Sequence, residues 1–344
     1  MTEGQQLVPL PQQPAGVGWP TLTWATGEQL TGDAERLDDL LTDAFAHNPN
    51  PSLALSLAVV VVQGGRIVAE HYGGGARSTT SLISWSVAKS LTHAALGIAV
   101  RDGLIDLGES PRADEWSDDD PRRHITFGDL LEMRSGLRFA EDYVEAGDCL
   151  EMLFGAGGRD MAAYAASLPL DHEIGTVWNY SSGTTNIICR ALGRAVGGGR
   201  EAMEAFLRHE LFDPIGMASA APRFDEAGTW VGSSYVHATA RDFARFGYLY
   251  LRDGIWDGRR ILPEGWVDDA RVPRSADPDN PQHYGRHWWV ADDDLGTFWA
   301  NGYEGQRVMV VPLLDAVVVR LGKTPVEHVT ELRRFYSDLL DALR

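Results

Sequence analysis

Strand-forming segments gather near the two ends of this chain and helix-forming segments fill its middle, an order that restricts the possible folds severely. ALSLAVVVV (54–62), rich in β-branched residues, meets Gln63-Gly64-Gly65 and then RIVAEHY, which reads as strand, tight turn and strand. Near the other end HWWVA, TFWAN, RVMVVP and AVVVRL are short apolar or aromatic runs parted by turn residues, enough for three or four strands, and a helix from about 325 to 343 follows. Between these flanks FGDLLEMRSG, RDMAAYAASLP, TTNIICRALGRAVGGG and AMEAFLRHELF read as helices, each bounded by glycine or proline. The expected fold is α/β: residues 31–105 and 231–344 form one discontinuous domain around an antiparallel sheet flanked by helices, and 106–230 form an inserted, mostly helical domain.

Residues 1–30 carry Pro9, Pro11, Pro14 and Pro20 with Trp19 and Trp24, and read as an extended arm whose tryptophans pack on the body. Leu37, Leu40, Leu41, Ala44 and Phe45 set a helix over 33–47, closed by Pro49 and Pro51. The acidic run DEWSDDD (114–120) reads as a solvated loop.

A formal net charge of −19 argues against nucleic acid and anionic membranes as partners, since both would repel the chain. The first residues show neither a basic n-region nor an apolar h-region, and no run is long enough to span a bilayer, so the expected location is cytoplasmic. Cys149 and Cys189 have no second thiol nearby and read as free. No histidine spacing suits a metal and no glycine-rich phosphate loop precedes a helix, so no metal and no nucleotide cofactor are expected. Nothing here fixes the oligomeric state.

Lysine is nearly absent: Lys89 and Lys323 stand against twenty-eight arginines. Arginine stays protonated, whereas a desolvated lysine amine can act as a base. Lys89 lies in SLISWSVAKSLTHAALGIAV, where Val87, Leu91, Ala94, Ala95 and Ile98 mark a buried helix, and Ser86 stands one turn before the lysine. Burial and the positive end of the helix both favour the neutral amine, and a neutral lysine beside a serine is a nucleophile with its base. The competing reading makes Ser86 a helix cap and lets Lys89 reach water. His93, farther along the same helix, reads as a satisfied core histidine.

A serine–lysine pair needs a group that carries the proton to the leaving atom, and Tyr180 in TVWNYSSGTTNIICRALG stands just before a helix whose cap reads as Thr184 or Thr185. Nearby cations would suit it by stabilising its phenolate. Taken together, Ser86-Val87-Ala88-Lys89, Tyr180-Ser181-Ser182 and Ala300-Asn301-Gly302 resemble the motifs of the serine β-lactamase and penicillin-binding-protein superfamily. LLEMRSGLRF and NGYEGQ are similar to segments of its branch holding class C β-lactamases, serine esterases and 6-aminohexanoate-dimer hydrolase.

The resemblance implies that Ser86 is acylated, that Lys89 is its base and that Tyr180 shuttles the proton. It implies an oxyanion site of the Ser86 and Tyr303 backbone N–H groups, with Gly302 allowing close approach, and Tyr143, Ser182, Asn301 and Gly302 as substrate-binding residues. Two motifs depart from the usual pattern. Position 182 is serine where asparagine is common, as in 6-aminohexanoate-dimer hydrolases, and Ala300-Asn301-Gly302 replaces Lys-Thr-Gly or His-Thr-Gly. Lys323-Thr324-Pro325 follows the last strand and reads as a helix cap.

The implied function is hydrolysis of a small ester or amide through an acyl-enzyme. A β-lactamase or D-Ala-D-Ala peptidase is the alternative in chemistry, and a non-catalytic ligand sensor or assembly protein is the alternative in class.

Overall fold

The computed structural model describes residues 7–47, 49–143, 147–277 and 282–344. An arm leads to α1 (Ala34–Ala46), capped by Asp33, whose carboxylate accepts from the Arg36 N–H at 2.9 Å. The hairpin of β1 (Leu55–Gln63) and β2 (Arg66–Tyr72) follows, and the short β3 (Leu82–Ile83) delivers the chain to α2 (Val87–Arg101). Helices α3 (Phe127–Leu131), α4 (Asp148–Phe154), α5 (Met161–Ser167), α6 (Ser182–Ala195) and α7 (Gly199–Phe206) occupy the middle. Next come β4 (Ala221–Pro222), β5 (Val236–Ala238), α8 (Ala240–Leu251), the small hairpin β6 (Ile255–Trp256) and β7 (Arg259–Arg260), and α9 (Trp266–Ala270). The chain ends with β8 (Ser275–Ala276), β9 (His283–Tyr284), β10 (Trp289–Val290), β11 (Phe298–Gly302), β12 (Gln306–Val311), β13 (Ala316–Lys323) and α10 (Val329–Leu343).

Eight strands form the main sheet in the order β2-β1-β13-β12-β11-β10-β9-β8, antiparallel throughout. The first strand therefore lies beside the last, with Val59 opposite Arg320 and Val61 opposite Val318. Side chains alternate across a strand, so β1 feeds two cores. Ala58, Val60 and Val62 join α2 and α8 on one face, while Val59 and Val61 join α1 and α10 on the other. Coverage on both faces explains a strand that is almost all valine. The strands β8 and β9 are too short for a sequence pattern.

The arm packs as its tryptophans suggest. Trp24 is buried, Trp19 lies 5.3 Å from the Trp256 ring, and residues 25–27 hydrogen-bond Ile67 along the edge of β2. The acidic run is not simply a solvated loop, because Trp116 inside it is buried and donates its indole N–H to the Ala166 carbonyl at 2.8 Å. Glu115 pairs with Arg190. Thr324 caps no helix: it donates to the Leu53 carbonyl at 2.6 Å, and a 3-10 turn at Val326–His328 precedes α10. Cys149 and Cys189 are free and buried.

Candidate active site

Ser86 heads α2 but does not cap it. Its backbone is already helical (φ −65°, ψ −3°) and its side chain makes no capping hydrogen bond. Lys89 is only 1% exposed, so it does not reach water either. Both halves of the capping interpretation fail. Instead Lys89 Nζ lies 3.0 Å from Ser86 Oγ, 2.9 Å from Ser182 Oγ and 3.0 Å from the Ser233 carbonyl oxygen.

Each neighbour is fixed by its own element. Ser182 opens α6, which packs on α2, and the cap is Ser181, whose Oγ accepts from the Thr184 N–H at 3.1 Å. The threonines expected to cap lie inside the helix. Ser233 belongs to a segment that also holds the approach to Ser86, since Ser84 N–H donates to the Val236 carbonyl and Ser84 Oγ accepts from the Val236 N–H at 3.0 Å. Trp85, between Ser84 and Ser86, sits at φ +43°, a left-handed conformation that a non-glycine residue adopts only when its surroundings impose it.

Tyr180 reaches the same point from the loop before α6. Lys89 Nζ is 4.8 Å from the centre of its ring, and its phenol interacts with the Ser86 and Lys89 side chains. The ring is held among Trp178, Tyr284 and Trp289. Burial raises the phenol above its ordinary pKa; Lys89 pulls it down, Glu141 pushes it up, and burial prevails. The hydroxyl thus keeps its proton, in contrast to the stabilised phenolate expected from neighbouring cations.

Glu141 is the residue that sequence reasoning overlooks. Its carboxylate accepts from the Ser182 N–H at 2.7 Å, from the Ser182 hydroxyl at 2.6 Å and from the Tyr143 hydroxyl. Burial, and next the Glu141 charge, raise the Tyr143 phenol. The Tyr143 ring lies 4.9 Å from that of Tyr303, tilted by 31°, and Tyr303 meets Trp85 edge-on at 5.9 Å, so three aromatic rings form a row that begins at Trp85, the chain neighbour of Ser86.

The end of β11 closes the cluster. A side-chain carbon on Gly302 would sit 2.5 Å from the Ser84 carbonyl oxygen, so glycine is required for the strand to approach the serine loop. Replacing Gly302 with alanine is expected to cost ~1–3 kcal/mol through overpacking and to lower turnover by moving Tyr303 away from Ser86. Thermal melts and ester kinetics on the variant check this, and an unchanged midpoint and rate would show that the contact is dispensable. The turn after Gly302 is gripped by the buried Arg320, which donates to the Glu304 and Gly305 carbonyls at 3.2 and 3.1 Å.

Asn301 is not in the site. Alternation along β11 sends Ala300 towards α2 and Asn301 to the opposite face, where its side-chain oxygen accepts from Arg307 at 3.0 Å. Arg307 stacks there on Trp299 and Tyr336. Ser182, too, differs from a free substrate donor, because its hydroxyl is committed to Glu141 and Lys89. His93 is a core residue, bonded to the Tyr250 hydroxyl at 2.7 Å and stacked on Trp266. Among the described residues no group of three or more His, Cys, Asp or Glu is placed to hold a metal, and no helix is long and apolar enough to cross a membrane.

Residues 45–343 match the family model for Beta-lactamase. The chain belongs to the β-lactamase family. Within this family of serine hydrolases, it is 27% identical over 325 residues to 6-aminohexanoate-dimer hydrolase of Paenarthrobacter ureafaciens, covering 88% of this chain and 77% of that one. Among solved structures it resembles a protein of Bacillus anthracis provisionally named 6-aminohexanoate-dimer hydrolase (TM-score 0.75, 22% identity, 96% of this chain and 89% of that one). It also resembles the D-stereospecific amidohydrolase of a Streptomyces species (TM-score 0.63, 16% identity, 87% and 98%). These similarities agree with the α/β fold and the superfamily inferred from the motifs.

Proposed function

We propose that this β-lactamase-family protein hydrolyses a small ester or amide through an acyl-enzyme on Ser86. The observation that carries the reading is the buried amine of Lys89 at 3.0 Å from Ser86 Oγ. That is hydrogen-bond reach for a general base. As Ser86 Oγ bonds to the substrate carbonyl carbon, the carbonyl π pair moves to its oxygen and the Oγ proton passes to Lys89. The oxyanion is received by the backbone N–H groups of Ser86 and Tyr303. Among the described residues the Ser86 N–H has no hydrogen-bond partner, as such a donor should. Tyr180, beside both side chains and protonated, gives a proton to the leaving oxygen or nitrogen as the carbonyl reforms. Water then attacks the acyl-enzyme with the same groups in reverse.

The substrate class follows from what faces the serine. Aromatic rings of Trp85, Tyr143 and Tyr303 offer apolar contact, and β11 presents Ala300 and Gly302 rather than a cation. Arg307 is on the other face. A neutral acyl group suits this wall, whereas the carboxylate of a β-lactam would lose hydration without an ion pair. The name of the P. ureafaciens relative makes an amide the bond to test beside the ester.

A fluorophosphonate probe is expected to add one label to the wild-type protein, read by intact mass, and none to Ser86→Ala. kcat/KM for a short-chain aryl ester should exceed that for a chromogenic cephalosporin. Absence of labelling would favour a non-catalytic role, and efficient cephalosporin cleavage lost in Ser86→Ala would move the assignment to β-lactamase.

A further inference from the structure

We propose that Glu141 is a positioning residue: by holding the proton of the Ser182 hydroxyl, it aims the lone pair of Lys89 at Ser86. The inference rests on the hydrolase reading above, in which Lys89 is the base.

Both carboxylate oxygens of Glu141 are occupied by this part of the chain. One accepts from the Ser182 N–H at 2.7 Å and the other from the Ser182 hydroxyl at 2.6 Å and from Tyr143. A serine hydroxyl has one proton to donate. With that proton given to Glu141, Ser182 Oγ meets Lys89 only as an acceptor.

An amine acting as a base has two N–H bonds and one lone pair. Lys89 Nζ has hydrogen-bond contacts with Ser182 Oγ at 2.9 Å, the Ser233 carbonyl at 3.0 Å and Ser86 Oγ at 3.0 Å. A carbonyl only accepts, and Ser182, its proton turned away, does the same. These two take both N–H bonds, and the lone pair is left for the side where Ser86 and the Tyr180 phenol stand; of the three hydrogen-bonded partners only Ser86 has a proton free to give. Without the carboxylate, Ser182 can rotate its proton onto the amine and compete with the nucleophile.

Glutamine at position 141 tests this because the two groups on Ser182 differ in freedom. The backbone N–H cannot turn, so the amide of Glu141→Gln keeps its oxygen there and places its NH2 on Ser182 Oγ. The hydroxyl must then direct its proton elsewhere, and Lys89 is the neighbour in reach. In the Ser182→Ala background no hydroxyl remains to be misdirected.

The experiment measures the rate of fluorophosphonate labelling and the kcat and KM for an aryl ester in wild type, Glu141→Gln, Ser182→Ala and the double variant, with thermal melts on each. Glu141→Gln is expected to label and turn over about tenfold more slowly with KM within about twofold, a fraction of what a general base contributes. In the Ser182→Ala background the same change should have little effect. Glu141→Leu, which removes the acceptors and adds no donor, serves as the second variant should the glutamine protein fail to fold. Wild-type labelling in a folded position-141 variant overturns the proposal, as does an equal loss with and without Ser182. The hydrolase reading fails separately, if wild-type protein is not labelled at Ser86.

Discussion

Lys89→Met is expected to fold and to lose ester turnover by at least about 10²-fold, the lower end of what a positioned acid or base contributes. Methionine is close to lysine in length and fills the same buried space, so packing is largely conserved. The cost to stability is the loss of an N–H partner for Ser182 Oγ and the Ser233 carbonyl, ~1–3 kcal/mol if they find no other. Lys89→Arg should be just as inactive, because a guanidinium donates but has no basic lone pair at neutral pH. Steady-state kinetics on an activated ester and circular dichroism melts decide the matter. Turnover near wild type in a folded Lys89→Met protein would transfer the activation of Ser86 to another group, with Tyr180 the neighbour best placed.

How much of this site is legible in the sequence depends on how far each contact reaches along the chain. Ser86 and Lys89 are one helical turn apart, so their meeting follows from helix geometry, and the scarcity of lysine marks the pair. Tyr180 is found through its motif. Glu141 gives no such signal: it lies in an irregular loop and meets Ser182 across a separation of 41 residues. Asn301 is a different failure. Its motif position suggests substrate contact, yet strand alternation puts its side chain on the face away from Gly302, and a period-of-two reading of TFWANG separates the two. The sheet shows the same division, with the valine-rich strands plain in the sequence and the two-residue strands β8 and β9 set by pairing alone.

Acidification should weaken the protein well before its carboxylates protonate. His287 is buried among α2, α3 and α6: its backbone carbonyl accepts from Ser90 Oγ at 2.6 Å, its ring meets the Leu131 carbonyl at 2.9 Å and Thr185 Oγ1 at 2.9 Å. Burial lowers its pKa to about 3; the Leu131 carbonyl opposes this and Lys89 adds to it. His93 is lowered as well, first by burial and then by His287. In the unfolded chain a histidine titrates near 6.5. The unfolded state therefore binds a proton that the folded state refuses, and the stability contributed by neutral His287 is complete above about pH 6.5. It declines as the pH falls, until the folded ring titrates near 3. A shift of that size corresponds to about 5 kcal/mol. Urea unfolding at closely spaced pH values from 7 to 4 should show the decline. His287→Asn, whose side chain tolerates the positive φ of this position (+57°), should be weaker at pH 7 but fall less steeply. A stability curve flat from pH 7 to 4 in the wild type would mean that the rings accept protons without penalty.

The pairing of β1 with β13 also fixes when this site comes into being. During synthesis β2 is available to β1 at once, but the strand for its other edge is made only after all the helices from α2 to α9. Ser86 and Lys89 are made early, yet the turn that presents Tyr303 hangs between β11 and β12, and the Arg320 that grips it arrives on β13 itself. Such long-range closure makes folding slow, since chain entropy is lost before the contacts that reward it can form. On the mechanism proposed above, the nascent chain thus carries Ser86 and Lys89 before the Tyr303 turn, and the site is complete only after β13 has been inserted into the middle of the sheet.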